Sequence, residues 1–434
     1  MTDLRRDIGF FSCLMLVSGN MIGVGIFTTP GSVAASLGDA RWIFAAWAAG
    51  AFVALSGALC FAELGTLYPR AGGSYVFLRE AYGRPVAFAF GWIFSTMITP
   101  GVMGVLSIGF AAYLGFPAGA ACKMIAVGAI AALAGLNYFG VRLGALFQDI
   151  TTSGKIAVML GLALAGFLWG RPPALAPSMP GVFSAAAFGA ALIPVMYTYS
   201  GWNAAVLVGG EIRDPHRTIP LGLSLATLLV AGVYLAMNAF YLHAVPVAGM
   251  KGDLVIAQTA SQNLFGPWAS RVTAFLIAVS SLSCLNGTIL TGPRIPFAMA
   301  RDGLFFRAFE WVHPRWQAPG KAILFQAAWA VVLTLTGTFD QLLDWVTVPS
   351  LFVSLFCVLG LIRLRHSRPD LERPYRVWGY PWVPVAFVLS VSWILLNAFI
   401  NRPADSWVGV GLVLASFPLY LIWEKRASTG VRPS

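Results

Sequence analysis

The chain has 434 residues, of which 58% are hydrophobic and only 10% charged, with a mean hydropathy of +0.77. Soluble domains carry about 25% charged residues, so this composition excludes an ordinary water-soluble fold and points to a polytopic helical membrane protein. A net charge of +11 would suit nucleic acid in a soluble protein, but here its placement marks topology, and no nucleic-acid partner is expected.

Apolar runs of about 20 residues, each long enough to cross a hydrocarbon core of about 30 Å, recur along the whole sequence. Hydropathy predicts about twelve spans, at 10–36, 42–67, 85–114, 118–138, 147–169, 184–208, 219–243, 270–300, 322–338, 342–362, 380–399 and 406–423. The first begins close to Met1 without a small-residue cleavage site, so it reads as a retained span. The loops are too short for a soluble enzymatic domain, and residues 1–434 read as one transmembrane domain.

Span 1 is cut by Gly19-Asn20-Met21-Ile22-Gly23-Val24-Gly25-Ile26-Phe27. In lipid, each unpaired backbone amide or carbonyl costs several kcal/mol, so unwinding there predicts a protected cavity or a bound solute. The stretch Tyr68–Glu80 mixes a turn with aromatic and charged residues and predicts a short interfacial helix. Lys155 falls within span 5, where a bilayer penalises lysine by several kcal/mol. Span 6 carries a second break at Tyr197-Thr198-Tyr199-Ser200-Gly201-Trp202-Asn203. After it, Pro215 and Pro220 suit the helix boundary between spans 6 and 7. In span 8, Ser280, Cys284 and Thr288 share one face at i, i+4, i+8. The loop 363–379 is basic and Pro-rich.

The two breaks lie five spans apart, so the second copy crosses the membrane in the opposite sense. The predicted fold class is an all-α polytopic membrane protein with a 5+5 inverted repeat and broken helices 1 and 6, which resembles the leucine-transporter fold. The repeats are 10–170 and 184–363, with two additional helices in 380–423. With the N-terminus inside, the inner segments collect most of the arginines, among them Arg5, Arg6, Arg70, Arg79, Arg84, Arg363, Arg365, Arg368, Arg373 and Arg376. The outer segments hold only Arg41, Lys123, Arg171, Lys251, Arg271 and Arg402. This bias predicts a multi-pass protein of the inner (plasma) membrane with both termini cytoplasmic. The basic side would also meet anionic lipid of the bilayer. The five cysteines and four histidines show no paired spacing, so no disulfide, metal site or cofactor is expected.

The order of motifs resembles the amino acid–polyamine–organocation superfamily, and within it the L-type amino acid transporters. The resemblance runs from about Asp7 to about Trp423. It is carried by Gly23-Val24-Gly25-Ile26-Phe27 with Pro30-Gly31, by Tyr68-Pro69-Arg70-Ala71-Gly72-Gly73-Ser74-Tyr75, and by Phe147-Gln148-Asp149 with Gly154-Lys155. Further on it includes Tyr199-Ser200-Gly201-Trp202-Asn203, then Glu211, Asp214-Pro215 and Pro220. Asn286-Gly287 with Arg294 and Arg301-Asp302-Gly303 follow, then Arg363-Leu364-Arg365-His366 with Arg373-Pro374. Two departures stand out. Family members often carry serine where this chain has Val24, so only backbone amides serve there. Residues 113–119 hold no cysteine, so the disulfide-linked heavy-chain subunit of the human relatives is not expected.

A zwitterion at the midplane needs donors for its carboxylate. The N–H groups of Gly23, Val24, Gly25 and Ile26, at the start of the outer half-helix, are assigned to it; the alternative is a small-residue packing notch. The amino group needs acceptors, assigned to the main-chain carbonyls of Tyr197, Thr198 and Ser200, with a plain glycine kink as the alternative. Tyr197 aligns with a family aromatic that closes over substrate, or is a packed aromatic. Trp202 and Asn203 line the edge, and Asn286 and Thr288 bound the side-chain pocket or pack helices. The resemblance also implies that Lys155 occupies the place of a sodium ion, facing Gly19, Ile22, Ser280 and Cys284. It is then a fixed internal cation or, with its pKa lowered by burial, a proton carrier; the remaining alternative is a purely structural lysine. Glu63, Glu211, Arg217 and Arg294 read as inner-gate or loop-anchoring charges.

No carboxylate falls near the predicted site, since Asp149 is at the inner end of span 5 and Asp340 and Asp344 at the outer start of span 10. That argues against a polyamine or cationic substrate. The expectation is a sodium-independent exchanger of neutral L-amino acids working by alternating access; the alternative is a proton-coupled amino acid symporter. A membrane enzyme would need acid–base or metal clusters in the spans, which the sequence lacks.

Overall fold

The computed structural model describes residues 4–170, 183–401 and 403–428. Arg171, Arg402 and Arg432 lie outside the described residues, as do the side chains of Asp340, Asp344, Lys425 and Arg426.

All named elements are helical. The first apolar run becomes two helices, α1 (Phe10–Met21) and α2 (Gly25–Leu37), bent by 42° at the glycine-rich break. After α3 (Ala40–Leu67) comes the short α4 (Ser74–Tyr82), where a short interfacial helix is predicted. Next are α5 (Arg84–Tyr113), α6 (Gly119–Tyr138) and α7 (Val141–Trp169). The second broken region is α8 (Ala185–Thr198), an irregular stretch 199–203, and the single turn α9 (Ala204–Leu207). Then follow α10 (Pro215–Ala244), α11 (Ile256–Phe265), α12 (Pro267–Arg301), α13 (Gly320–Thr336), α14 (Phe339–Ser367), α15 (Trp382–Asn401) and α16 (Pro403–Ser428).

Among the described residues, eight helices are long and apolar enough to cross a membrane, and the bent pair α1–α2 makes up to nine. Shorter apolar helices stand at three further predicted positions, in α8, α13 and α16. The chain is therefore an all-helical, multi-pass membrane protein.

Two expectations need correction. Helix α7 starts at Val141, six residues before the predicted limit of 147, because Gly140 turns the chain (φ +117°) and the next residues continue the helix without a break. Helix α11, absent from the hydropathy reading, forms between spans 7 and 8. It is short and only moderately apolar, but Ala257, Ala260, Ser261 and Leu264 bury one face of it.

The broken helices sit in the centre. Helix α1 packs on α7, α10 and α12, α2 packs on α8, and α12 also packs on α5. Trp47, Tyr199 and Tyr234, all fully buried, form an aromatic cluster behind the break, with ring centroids 5.0–5.9 Å apart. Such ring pairs add about 0.5–1.5 kcal/mol each beyond burial. On the outside, Leu164 and Phe167 of α7, Leu225 and Leu228 of α10, and Leu389 and Leu396 of α15 are exposed. In a membrane protein that apolar surface faces lipid.

The N-terminal segment joins the far end of the second broken region. Ile8 N–H donates to Glu211 O (3.0 Å), and Arg213 N–H returns a bond to Ile8 O (2.9 Å). The loop before α4 is tied in by Gly72 N–H to Leu207 O (2.9 Å). We call this end the N-terminal face. At the opposite face, Gly252 N–H donates to Gly31 O (3.0 Å), closing the chain over the end of α2.

Candidate functional site

The two breaks meet back to back. A Cβ on Gly201 would lie 2.7 Å from Asn20 O, and one on Gly25 would lie 2.6 Å from Thr198 Oγ1 and 3.1 Å from its Cα. Both values are below ordinary van der Waals contact, so glycine is what allows the approach. Gly201 also sits at φ +98°, in the left-handed region that side chains disfavour.

A cavity of about 170 Å³ opens along this junction. It is lined by Gly23, Val24 and Gly25 from the first break, and by Tyr197, Thr198, Ser200, Trp202 and Asn203 from the second. Helix α5 adds Phe94, Ile98, Thr99, Val102 and Leu106, helix α12 adds Cys284, Thr288 and Thr291, and α14 adds Val346, Thr347, Ser350 and Ser354. None of the lining side chains is charged. The walls offer hydroxyls, aliphatic groups and main chain.

Around the first break, Ile22 N–H bonds Ser18 O (2.9 Å), Gly23 N–H turns back to Met21 O (3.0 Å), and Phe27 N–H reaches Val24 O (3.0 Å). Among the described residues, the N–H groups of Val24, Gly25 and Ile26 have no acceptor. These are the orphan donors of a helix N-terminus, and they carry the positive end of the α2 dipole. Gly23 thus lines the cavity while its N–H is engaged, and the fully buried Ile26 has an unmatched N–H among the described residues but is not part of the lining.

Across the junction, Tyr197 O accepts from Ser200 N–H (3.0 Å), and Thr198 O accepts from the Tyr234 hydroxyl (3.0 Å). Ser200 O has no donor among the described residues, and Ser200 is exposed to the cavity. Trp202 is buried against Phe61 (4.8 Å between centroids) and Phe387 (6.1 Å), which fixes the bend. Tyr197 is half-buried at the cavity wall.

Lys155 is buried in the middle of α7. Its Nζ donates to Gly19 O (3.0 Å) and Ile22 O (2.7 Å), the carbonyls left behind where α1 unwinds. Ser280 Oγ also donates to Ile22 O (3.1 Å), and Cys284 Sγ to Asn20 O (3.2 Å). One cation and two side chains of α12 therefore satisfy three carbonyls of the break, those of Gly19, Asn20 and Ile22.

Asn286 does not bound the cavity. It donates to Gly144 O (3.0 Å) and Gln148 Oε1 (2.9 Å), and accepts from Asn137 Nδ2 (2.8 Å). The reason is angular: Asn286 is two residues from Thr288 and Cys284, which puts it on another side of α12, toward α6 and α7. Thr288 does line the cavity and donates to Cys284 O (2.9 Å).

The sequence reading missed Tyr234. Its buried hydroxyl lies 2.7 Å from Met21 O and 3.0 Å from Thr198 O, one carbonyl from each break. A tyrosine in the middle of an apolar span, with a hydroxyl that must find a partner in lipid, was the available signal. It also missed the π-helical segment Phe94–Ile98 in α5. Such segments widen a helix locally, and this one delivers Phe94 and Ile98 to the cavity. Gln326 Nε2 bonds Ser95 O (3.3 Å) and Trp329 Nε1 bonds Thr96 O (2.6 Å), holding it in place.

Beyond the cavity, toward the N-terminal face, the charges pair. Arg294 and Glu211 form a two-pronged buried bridge (2.7 and 2.9 Å) just past Leu207 and Thr291 of the cavity lining. Glu63, fully buried, accepts from Arg365 (2.9 and 2.5 Å) and from Val377 N–H (2.7 Å), with Arg373 at 3.3 Å. Asp302 accepts from the Tyr75 hydroxyl (2.7 Å) and from Arg79. Burial, reinforced by the neighbouring Asp302 carboxylate, pushes the Tyr75 hydroxyl well above its ordinary pKa and keeps it a donor. Arg217 stays exposed at the start of α10.

Comparison with known proteins identifies the family. The family described as Amino acid permease matches residues 8–422. The chain is 30% identical over 440 residues to the serine/threonine exchanger SteT of Bacillus subtilis (strain 168), covering 98% of each chain. It is 29% identical to the human b(0,+)-type amino acid transporter 1, over 96% of this chain and 88% of that one. It is 28% identical to the human Asc-type amino acid transporter 1, over 96% of this chain and 82% of that one. With its bent apolar pair, buried uncharged cavity and near full-length matches, the chain belongs to the amino acid permease family and is a membrane transporter of amino acids.

Proposed function

We propose that the protein is a sodium-independent exchanger of neutral L-amino acids that works by alternating access. The observation that carries this reading is the pair of unmatched backbone groups facing one uncharged cavity. The lining residues Val24 and Gly25, followed by Ile26 just behind the wall, carry unmatched N–H groups on one side, and the lining residue Ser200 carries the carbonyl on the other. The first set suits a carboxylate at a helix N-terminus, and the second suits an ammonium. In this reading the Tyr197 and Thr198 carbonyls add their second lone pairs, and Tyr197 closes over the substrate. Main-chain contacts read only the part common to all amino acids. The side chain then meets hydroxyls and aliphatic groups of α5, α12 and α14, with no charge to pair a cationic or anionic substrate. The likeness to the serine/threonine exchanger SteT supports the mode of transport.

In the same reading the α1–α2 and α8–α9 pairs are equivalent elements of two inverted five-helix repeats, residues 10–170 and 184–363, within twelve spans. Both termini are cytoplasmic in the plasma membrane, and no disulfide-linked partner is needed. Lys155 takes the place a sodium ion would hold at the end of α1. Substrate drives the cycle only through its different affinity for the two open states, and the Glu211–Arg294 bridge is the contact that must part to open the N-terminal face.

The test is uptake of labelled serine into proteoliposomes, with and without unlabelled serine inside. Exchange requires uptake that depends on internal substrate and ignores sodium. Robust uptake into empty vesicles, driven by a pH gradient, would replace this reading by proton symport.

A further inference from the structure

A second cavity, of about 440 Å³, lies at the N-terminal face. Its walls come from five separate parts of the chain. Arg6 comes from the segment before α1, Arg70 from the loop before α4, Arg79 from α4, Gly210 from the link after α9, and Arg301 and Asp302 from the end of α12. Asp302 is already held by Arg79 and Tyr75, and among the described residues the lining holds four arginines against this one carboxylate. Among the described residues, no carboxylate reaches the guanidinium of Arg6 or Arg70, and both side chains are exposed. Arg301 stacks on Phe297, its guanidinium carbon 4.8 Å from the ring centroid. Planar, multi-donor groups thus line one partly open cavity, and guanidinium groups match phosphate oxygens two at a time.

We propose that this cavity binds a phosphate-bearing anion, with Arg6 and Arg70 as its principal ligands. The consequence is mechanical. Arg6 precedes α1 and Gly210 follows α9, so both flank the broken helices. Arg70 sits beside Ala71, whose backbone bridges to Val208, and Arg301 ends α12. An anion held between them ties the ends of both broken helices to α12, on the side where the Glu211–Arg294 bridge closes. The binding claim stands without the transport reading; only the effect on the gate rests on it.

The same chemistry is offered by free phosphate and by a phospholipid headgroup, and binding to the purified full chain separates them. In one arm, inorganic phosphate is titrated into detergent-purified protein and the thermal unfolding midpoint is followed. In the other, nanodiscs of phosphatidylcholine with or without phosphatidylglycerol are compared by native mass spectrometry for retained lipid. Each exposed arginine near a surface contributes about 1 kcal/mol toward an anion, so removing one weakens binding about fivefold. Arg6→Ala with Arg70→Ala is therefore expected to weaken it roughly 25-fold, while Arg315→Ala, exposed outside the cavity, leaves it unchanged. If the double alanine variant does not fold, Arg6→Gln with Arg70→Gln takes its place. A saturable phosphate response lost in the double variant assigns a free anion; a phosphatidylglycerol effect alone, lost in the same variant, assigns a headgroup. Binding in neither arm, or binding equally tight in the double variant, overturns the proposal.

Discussion

Replacing Lys155 by methionine tests whether the built-in cation organises the break. Wild-type Nζ donates to Gly19 O and Ile22 O at 3.0 and 2.7 Å. Hydrogen bonds from charged donors contribute about 1.5–3 kcal/mol each, so the two together hold the end of α1 by about 3–6 kcal/mol. Ile22 O keeps its bond from Ser280, whereas Gly19 O is left without one. Against that loss, removing a buried ammonium relieves a desolvation cost of several kcal/mol. The two terms oppose each other in global stability but not in the geometry of the break. The expected outcome is an unfolding midpoint shifted by only a few degrees, together with exchange slowed about 100-fold, equivalent to about 2.7 kcal/mol. The assay is labelled-serine exchange into substrate-loaded proteoliposomes at several pH values, beside thermal unfolding of the same preparation. Wild-type exchange and an unchanged pH profile in Lys155→Met would refute the reasoning, because the carbonyls would then be organised without the cation.

Three further outcomes follow from distances already given. Arg294→Met strands the Glu211 carboxylate in a buried site and is expected to destabilise by about 3–5 kcal/mol; adding Glu211→Gln recovers most of that loss in thermal unfolding, and a double variant as unstable as the single one contradicts a paired bridge. Gly201→Ala adds a Cβ 2.7 Å from Asn20 O at φ +98°, with a strain of about 1–3 kcal/mol, and is expected to raise the KM for exchange about tenfold or more; an unchanged KM means the breaks tolerate separation. Tyr234→Phe keeps the aromatic packing but removes the hydroxyl between Met21 O and Thr198 O, at a cost of about 1–3 kcal/mol, read as at least fivefold slower exchange at near-normal protein yield.

Much of the site is legible in the sequence because lipid makes irregular backbone rare. Glycines inside an apolar run at Gly19–Gly25 and at Gly201 can be located without a structure. So can a lysine that no aqueous surface explains. Span positions follow from hydropathy because each must bury about 20 residues in hydrocarbon, although α7 begins earlier than its hydropathy because amphipathic first turns escape a sliding average. The family follows from the same motifs in order, and the near full-length matches bear it out.

What the sequence left open depends on which atoms meet across helices distant in the chain. Asn286 and Thr288 are two residues apart, yet one packs among α6 and α7 and the other lines the cavity. A helical pattern gives their relative angle but not which neighbour stands on each side. Gly23 reads as a carboxylate donor until the turn to Met21 O is seen to engage its N–H. Tyr234 is one apolar-span tyrosine among several until its hydroxyl is found between two carbonyls that lie 177 residues apart in the chain, at Met21 and Thr198. The sequence by itself determined where the backbone must unwind, because in lipid an unpaired peptide group is costly wherever it occurs. Only the tertiary structure decided which side chains satisfy those groups and which remain unpaired to face the cavity, because that depends on distances across helices that no single stretch of chain contains.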